Sequence, residues 1–147
     1  MPGVLTLTAS CPGLECSAHY ELAIPPDVAV DVSSGFGSIT ARGLTSASLI
    51  QLGTTAGAIH ATGLDAPAVK LSTGVGDLTA ALARPARTLT ANTVAGGMTL
   101  TVPNTSYAVH TNSGVGHVSD GRLRIDAASP RTIDATSSLG DITIQPR

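Results

Sequence analysis

Four histidines, ten acidic residues and two cysteines are the side chains with which this 147-residue chain could do chemistry. The cysteines, Cys11 and Cys16, flank Pro12-Gly13-Leu14-Glu15, a turn-forming insert that can bring the two sulfurs together. Two cysteines cannot by themselves make a structural zinc site, and a four-residue gap is not the redox Cys-x-x-Cys spacing. A joined pair and two free thiols both fit. The joined pair is the expectation, closing a loop that an unstrained disulfide would stabilise by roughly 2 kcal/mol. Disulfides persist outside the cytosol.

The acids and histidines are less informative. Gly74-Val75-Gly76-Asp77-Leu78 and Gly140-Asp141-Ile142 look like calcium-binding solenoid repeats. Those repeats need a nine-residue period and one residue between the last glycine and the aspartate. His19, His60, His110 and His117 fall in different sequence contexts, which favours solvated histidines over a shared metal. No signature of a Ser-His-Asp set such as Gly-x-Ser-x-Gly occurs. The expectation is a chain without a catalytic centre, metal or cofactor.

What must position these residues is a phrase that returns six times. It runs Ser33-Ser34-Gly35-Phe36-Gly37-Ser38-Ile39, then Gly53 to Ile59, Ser72 to Leu78, Asn92 to Met98, Asn112 to Val118 and Thr136 to Ile142. The anchoring glycines, Gly37, Gly57, Gly76, Gly96, Gly116 and Gly140, stand 20, 19, 20, 20 and 24 residues apart. A fixed period of this length marks a stacked-repeat architecture. Seven residues before the glycine stand Val30, Ile50, Val69, Leu89, Val109 and Ile133, and five before it Val32, Leu52, Leu71, Ala91, Thr111 and Ala135. The column between them is polar throughout, which is the period-two pattern of a strand with one buried face. Two residues after the glycine come Ile39, Ile59, Leu78, Met98, Val118 and Ile142. Each repeat therefore reads as two short strands joined through a glycine corner. A second corner falls at Arg42-Gly43, Thr62-Gly63 and Asp120-Gly121.

Two strands and two corners in about 20 residues bury no core alone. Stacking each repeat on the previous one pairs every strand in parallel and closes one narrow core. The fold class expected is all-β, a parallel β-helix (β-solenoid) of about six rungs. A sandwich of antiparallel hairpins would need turn pairs such as Asn-Gly and would not require one column to stay aliphatic six times. Three residues before the glycine every copy carries a hydroxyl, Ser34, Thr54, Thr73, Thr93, Ser113 and Ser137, which parity turns inward. Each could bond the next rung's hydroxyl or a corner backbone group. Asp31 and Asp134 share a column five repeats apart, about 24 Å along such a stack, and Asp77 and Asp141 stand three repeats apart, about 14 Å. Paired glycosidase carboxylates need roughly 5–9.5 Å.

The domain plan is a single unit: residues 1–29 form an atypical N-terminal cap and lead-in strand, and residues 30–147 the solenoid. Leu5 and Leu7 offer a short strand, and His19-Tyr20-Glu21-Leu22-Ala23-Ile24 another before the turn at Pro25-Pro26-Asp27. No C-terminal cap is visible beyond Pro146 and Arg147. The last rung, Ile142-Thr143-Ile144, is thus expected to offer an open strand edge through which a second copy could pair.

Composition agrees with strands and small side chains. Aromatics make up 2% of the chain and there is no tryptophan, so Val, Ile, Leu and Ala must fill the core. The net charge of -2 leaves no basic footprint for nucleic acid. No apolar run reaches the ~18 residues of a membrane span, and the N-terminus does not read as a signal peptide.

Tyr20-Glu21-Leu22-Ala23-Ile24-Pro25 leading into Val30-Asp31-Val32-Ser33-Ser34-Gly35, with the recurring Ser72-Thr73-Gly74-Val75-Gly76-Asp77-Leu78 phrase, resembles the bacterial adhesin domain of unknown function. That family comprises cell-envelope β-solenoid repeat proteins, and the resemblance covers most of the chain. Cys11 and Cys16 look like the cysteine pair of members from high-GC Gram-positive bacteria. The resemblance implies the extracellular or envelope-facing ectodomain of a membrane-anchored protein, and it brings no catalytic residues. The function expected is a non-enzymatic envelope module for adhesion, surface display or self-association. The alternatives are an envelope sensor that binds a peptide or partner protein, and a polysaccharide-acting β-helix enzyme. Such enzymes usually carry long groove-building insertions, whereas this chain has one of about four residues near Asp126-Ala127-Ala128-Ser129-Pro130.

Overall fold

The computed structural model describes residues 4–9, 29–43, 45, 49–120 and 123–146. Within them every regular element is a strand, and the strands pair only in parallel. β1 (Val4–Ala9) lies against β2 (Ala29–Phe36), with Leu5 in register with Val30. From there each repeat gives one strand to each of two sheets. The pairs are β2 with β3 (Ile39–Arg42), β4 (Leu49–Ala56) with β5 (Ile59–Leu64), β6 (Ala68–Val75) with β7 (Leu78–Leu82), and β8 (Thr88–Ala95) with β9 (Met98–Val102). Then follow β10 (Ser106–Val115), β11 (Val118–Ser119), β12 (Arg124–Ile125), β13 (Thr132–Leu139) and β14 (Ile142–Pro146).

The two sheets face each other across one thin core, and the aliphatic columns fill it. Ile50, Val69, Leu89 and Ile133 stack in one row, Ile59, Leu78, Met98 and Ile142 in another, each at most 1% exposed. Lys70, between Val69 and Leu71, points to solvent, as the alternation requires. Small aliphatic side chains suit this space because successive strands stand only about 4.8 Å apart.

The glycine corner has a specific cause. Gly96 sits at φ 147, a conformation L side chains rarely adopt, and a Cβ there would run into the carbonyl oxygen of Gly76 below it. The corners are also tied by backbone hydrogen bonds: Gly76 N–H donates to Ala95 O at 2.9 Å, and Leu78 N–H to Gly97 O at 2.9 Å. At the second corner Gly43 and Gly63 take φ 62 and 66.

The rungs do not stack in chain order. The larger sheet runs β1-β2-β4-β6-β8-β13-β10-β12, and the smaller β11-β14-β9-β7-β5-β3. The sixth repeat has entered between the fourth and the fifth. Ile133 pairs with Leu89 on one side and Val109 on the other, and Ile142 pairs with Met98 and Val118. The corner glycines follow the same order, Gly140 standing on Gly96 and Gly116 on Gly140.

The expectation that Ile142-Thr143-Ile144 would form the bare terminal edge is therefore corrected: β14 lies inside its sheet. The physical reason is in the inward columns. Four residues after the glycine stand Ala41, Ala61, Ala80, Leu100 and Ile144, but the fifth repeat has Asp120 there, and it also has Thr111 where the others carry aliphatic or small residues. Chain order would bury Asp120 between Leu100 and Ile144, and an unpaired buried carboxylate is costly. The observed order buries Ile144 and leaves Asp120 half-buried at the end. The fifth repeat is thus the terminal layer that the sequence reading did not find.

The connections make this possible. Pro103-Asn104-Thr105 carries the chain past the vacant rung position, about 10 Å, a reach three residues can cover. The four-residue insertion then returns it. Asp126 N–H donates to Tyr107 O at 2.8 Å, Ser129 Oγ to Ser106 O at 2.8 Å, and Thr132 N–H to Arg87 O at 2.7 Å. Tyr107 anchors this crossing, 1% exposed with its hydroxyl donating to Pro103 O at 3.0 Å.

Candidate functional site

The inward hydroxyls and two of the carboxylates hold neighbouring rungs together. The inward hydroxyls bond the corner carbonyl of the rung below: Thr54 to Gly37 O at 3.1 Å, Thr73 to Gly57 O at 2.9 Å, Thr93 to Gly76 O at 3.4 Å and Ser113 to Gly140 O at 3.1 Å. Of the two partners open to this column, the corner backbone is the one used. Ser34, on the first rung, turns to Phe36 O at 3.2 Å, and Ser137 Oγ is buried without a partner.

The two aspartates after the corner glycines act the same way on the outside. Asp77 accepts the Gly97 N–H at 2.9 Å, and Asp141 accepts the His117 N–H at 2.8 Å. Each carboxylate extends the backbone ladder by one bond across a tight turn. His117 Nδ1 also lies 3.9 Å from Asp141, but both side chains are largely in water, at 97% and 69% exposure. Such a pair contributes at most about 1 kcal/mol.

The rung order changes the separations. Asp77 and Asp141 stand two rungs apart, about 10 Å rather than about 14 Å, and Asp31 and Asp134 four rungs apart, about 19 Å rather than about 24 Å. Asp134 is brought beside His110 in register. His60 lies on the other sheet, between Thr40 and Thr79. Among the described residues no three His, Cys, Asp or Glu side chains gather as a metal site. Cys11, Cys16, His19 and the strand read at 19–24 lie outside the described residues.

Two features escaped the sequence reading. Tyr107 is one; a tyrosine at a strand start gave no sign that the chain would cross there. Its phenol is pushed up to about 12 by burial, with Arg131 pulling the other way. The other is the column just before each glycine. Parity along the strand would turn it inward, yet Phe36, Val75, Val115 and Leu139 are exposed. The chain bends between the hydroxyl and the glycine, and the strand registers skip the residue between them. The signal was present, an apolar residue in all six copies, but the corner obscured its direction.

Outside, the larger sheet presents a polar row, Gln51, Lys70, Thr90, Asp134 and His110, and beside it a row of small residues, Gly53, Ser72, Asn92, Thr136 and Asn112, polar except for the glycine. A two-sheet parallel solenoid with glycine-stacked corners and small polar faces is the class of protein that fold and surface define. Residues 28–145 match the Toastrack family, DUF4097, a β-solenoid domain family of unknown function, and the chain belongs to it. No curated protein and no solved structure matches the chain.

Proposed function

We propose that the chain is a non-enzymatic display module of the cell envelope, a stiff rod that presents its polar sheet face and one corner for binding or self-association. The observation that supports this reading most is the engagement of the inward hydroxyls and of two corner carboxylates. The hydroxyls of Thr54, Thr73 and Thr93, and one oxygen each of Asp77 and Asp141, bond neighbouring backbone. A stacked parallel core is rigid and brings a repeated polar surface to a partner with little ordering cost. The envelope location rests on the family resemblance stated for the lead-in segment and the cysteine pair.

The test is a co-sedimentation of the purified chain with isolated bacterial cell walls, run beside an assay for new reducing ends or unsaturated sugar products. Binding that Ser72→Trp or Asn92→Trp abolishes, with no sugar product, supports the display reading. Product formation that survives repurification and maps to an acid of this chain would turn the reading to the polysaccharide enzyme. Fractionation of cells from the source organism, with protease access from outside, tests the location.

A further inference from the structure

Every copy of the repeat has an apolar residue immediately before its corner glycine. In stack order these are Phe36, Ala56, Val75, Ala95, Leu139 and Val115. The four large ones are 57, 60, 53 and 67% exposed for Phe36, Val75, Leu139 and Val115, and Val94 beside them is 57% exposed. Strand register sets each against the next, so the side chains form a ridge about 24 Å long on one edge of the rod. Single exposed apolar residues are ordinary, but a contiguous line marks an interaction surface.

We propose that this ridge is the face through which two copies of the chain associate, antiparallel about a two-fold axis between the third and fourth rungs. The ridge alternates in size, with alanine on the second and fourth rungs. The centred two-fold sets rung one against six, two against five and three against four. Ala56 then receives the partner's Leu139, Val75 enters over the partner's Ala95, and Phe36 meets the partner's Val115. On one flank the exposed Val94 meets the partner's Gly74, a position that admits no side chain because a Cβ there would run into Thr55 O.

Charge selects the same alignment. The other flank carries Ser38, Ala58, Asp77, Gly97, Asp141 and His117 in stack order. The centred register sets Asp77 against the partner's Gly97 and Asp141 against the partner's Ala58. Moving one rung either way sets Asp77 against the partner's Asp77 or the partner's Asp141, and takes Val75 off the partner's Ala95 onto the partner's Val75 or the partner's Leu139. Like charges directly opposed are destabilising. No other antiparallel register engages all six rungs. The ridge is narrow, so the association belongs with the small transient interfaces, below roughly 1,200 Å² in total.

This inference deepens the self-association part of the proposed function by naming its partner and face. Sedimentation equilibrium of the purified chain across a wide concentration range should show a monomer–dimer equilibrium. Val75→Asp should weaken it by roughly tenfold or more. The exchange variant Val75→Ala/Ala95→Val swaps knob and hole and should keep the dimer within about threefold of the parent. Mixing Val75→Cys with Ala95→Cys under mild oxidation should give more disulfide-linked dimer than either alone or the parent. A monomer at every concentration overturns the proposal, as does a dimer indifferent to Val75→Asp, which would place the contact elsewhere, such as the outer edge of β10. Loss of the dimer in the exchange variant, with its circular dichroism intact, overturns the register. Cell-wall binding is read separately on Ser72 and Asn92, so failure here and failure of the display reading are distinguishable.

Discussion

The third rung, β6 with β7, and the outermost rung, β10 with β11, descend from the same repeat and meet different surroundings. In the third, Val69, Leu71 and Leu78 are at most 1% exposed, covered by a rung on each side. In the outermost, Val109 and Thr111 are half-buried, and Val118 is exposed. β10 has no strand partner on its outer side beyond Tyr107 among the described residues. Burial in a solenoid is thus a property of place in the stack rather than of column. Place need not follow chain order, because each rung meets only its two neighbours and its rank can be exchanged if the loops reach. The chain has put its most polar rung, the one with Thr111 and Asp120, where polarity costs least.

The largest effect should separate the corners. Gly96→Ala combines a φ of 147 with a Cβ aimed at Gly76 O. Strain of about 1–3 kcal/mol and overlap of similar size predict a loss of roughly 2–6 kcal/mol in a urea melt. Gly43→Ala meets nothing within 4 Å and carries only its φ of 62, so about 1–2 kcal/mol is expected. Equal losses at the two glycines would remove the stacked-corner account.

Next comes the core itself. Leu71→Ala should cost about 2–5 kcal/mol, as for other buried leucines. Val109→Ala, at the half-buried end, should cost about 1 kcal/mol or less, since much of the removed surface was already wet. If Val109→Ala were as costly as Leu71→Ala, another element would have to cover β10.

The columns that decided the fold were legible because stacking repeats them: one aliphatic position held through six copies outweighs any single propensity. The corner glycines and the inward hydroxyls were legible for the same reason. Rung order was not, because repeats differ little and any two can be neighbours. Its trace was Asp120 in an otherwise apolar column, together with the 24-residue spacing before Gly140. Read together, a charge that must avoid the middle and an insertion long enough to cross over would have placed the fifth repeat last. The candidate surface was half legible. The apolar residue before each glycine was visible in sequence, but only the bend of the chain shows that it faces outward.

The crossing should be felt in alkali. The phenol of Tyr107, pushed up to about 12 by burial, holds its proton more tightly folded than unfolded, where the ordinary value is 10.0. Stability linked to it is therefore complete below pH 10 and is lost as pH rises through about 12. Absorbance titration should show a phenol ionising together with a cooperative loss of circular dichroism in that window. Tyr107→Phe should remove this component, and it should cost about 1 kcal/mol at neutral pH through the lost bond to Pro103 O. A Tyr107 that titrates near 10 without loss of structure would show that its hydroxyl is open to water.

The finest contrast sets two hydroxyls of one column against each other. Thr73 donates to Gly57 O at 2.9 Å within the regular stack, whereas Ser137, on the inserted rung, is buried without a partner. Both stand at the same place in the repeat, and both are largely removed from water, at 4% and 2% exposure. Thr73→Val keeps the shape and removes the donor, leaving a corner carbonyl short of one bond, and should cost roughly 1–2 kcal/mol. Ser137→Ala removes a desolvated hydroxyl that returns nothing, so its loss should fall within about 0.5 kcal/mol of zero, or stabilise. Urea midpoints at unchanged m-value measure both. A cost at Ser137 as large as that at Thr73 would mean that its hydroxyl does reach Gly96 O, its counterpart on the rung below, and that the inserted rung sits as tightly as the others.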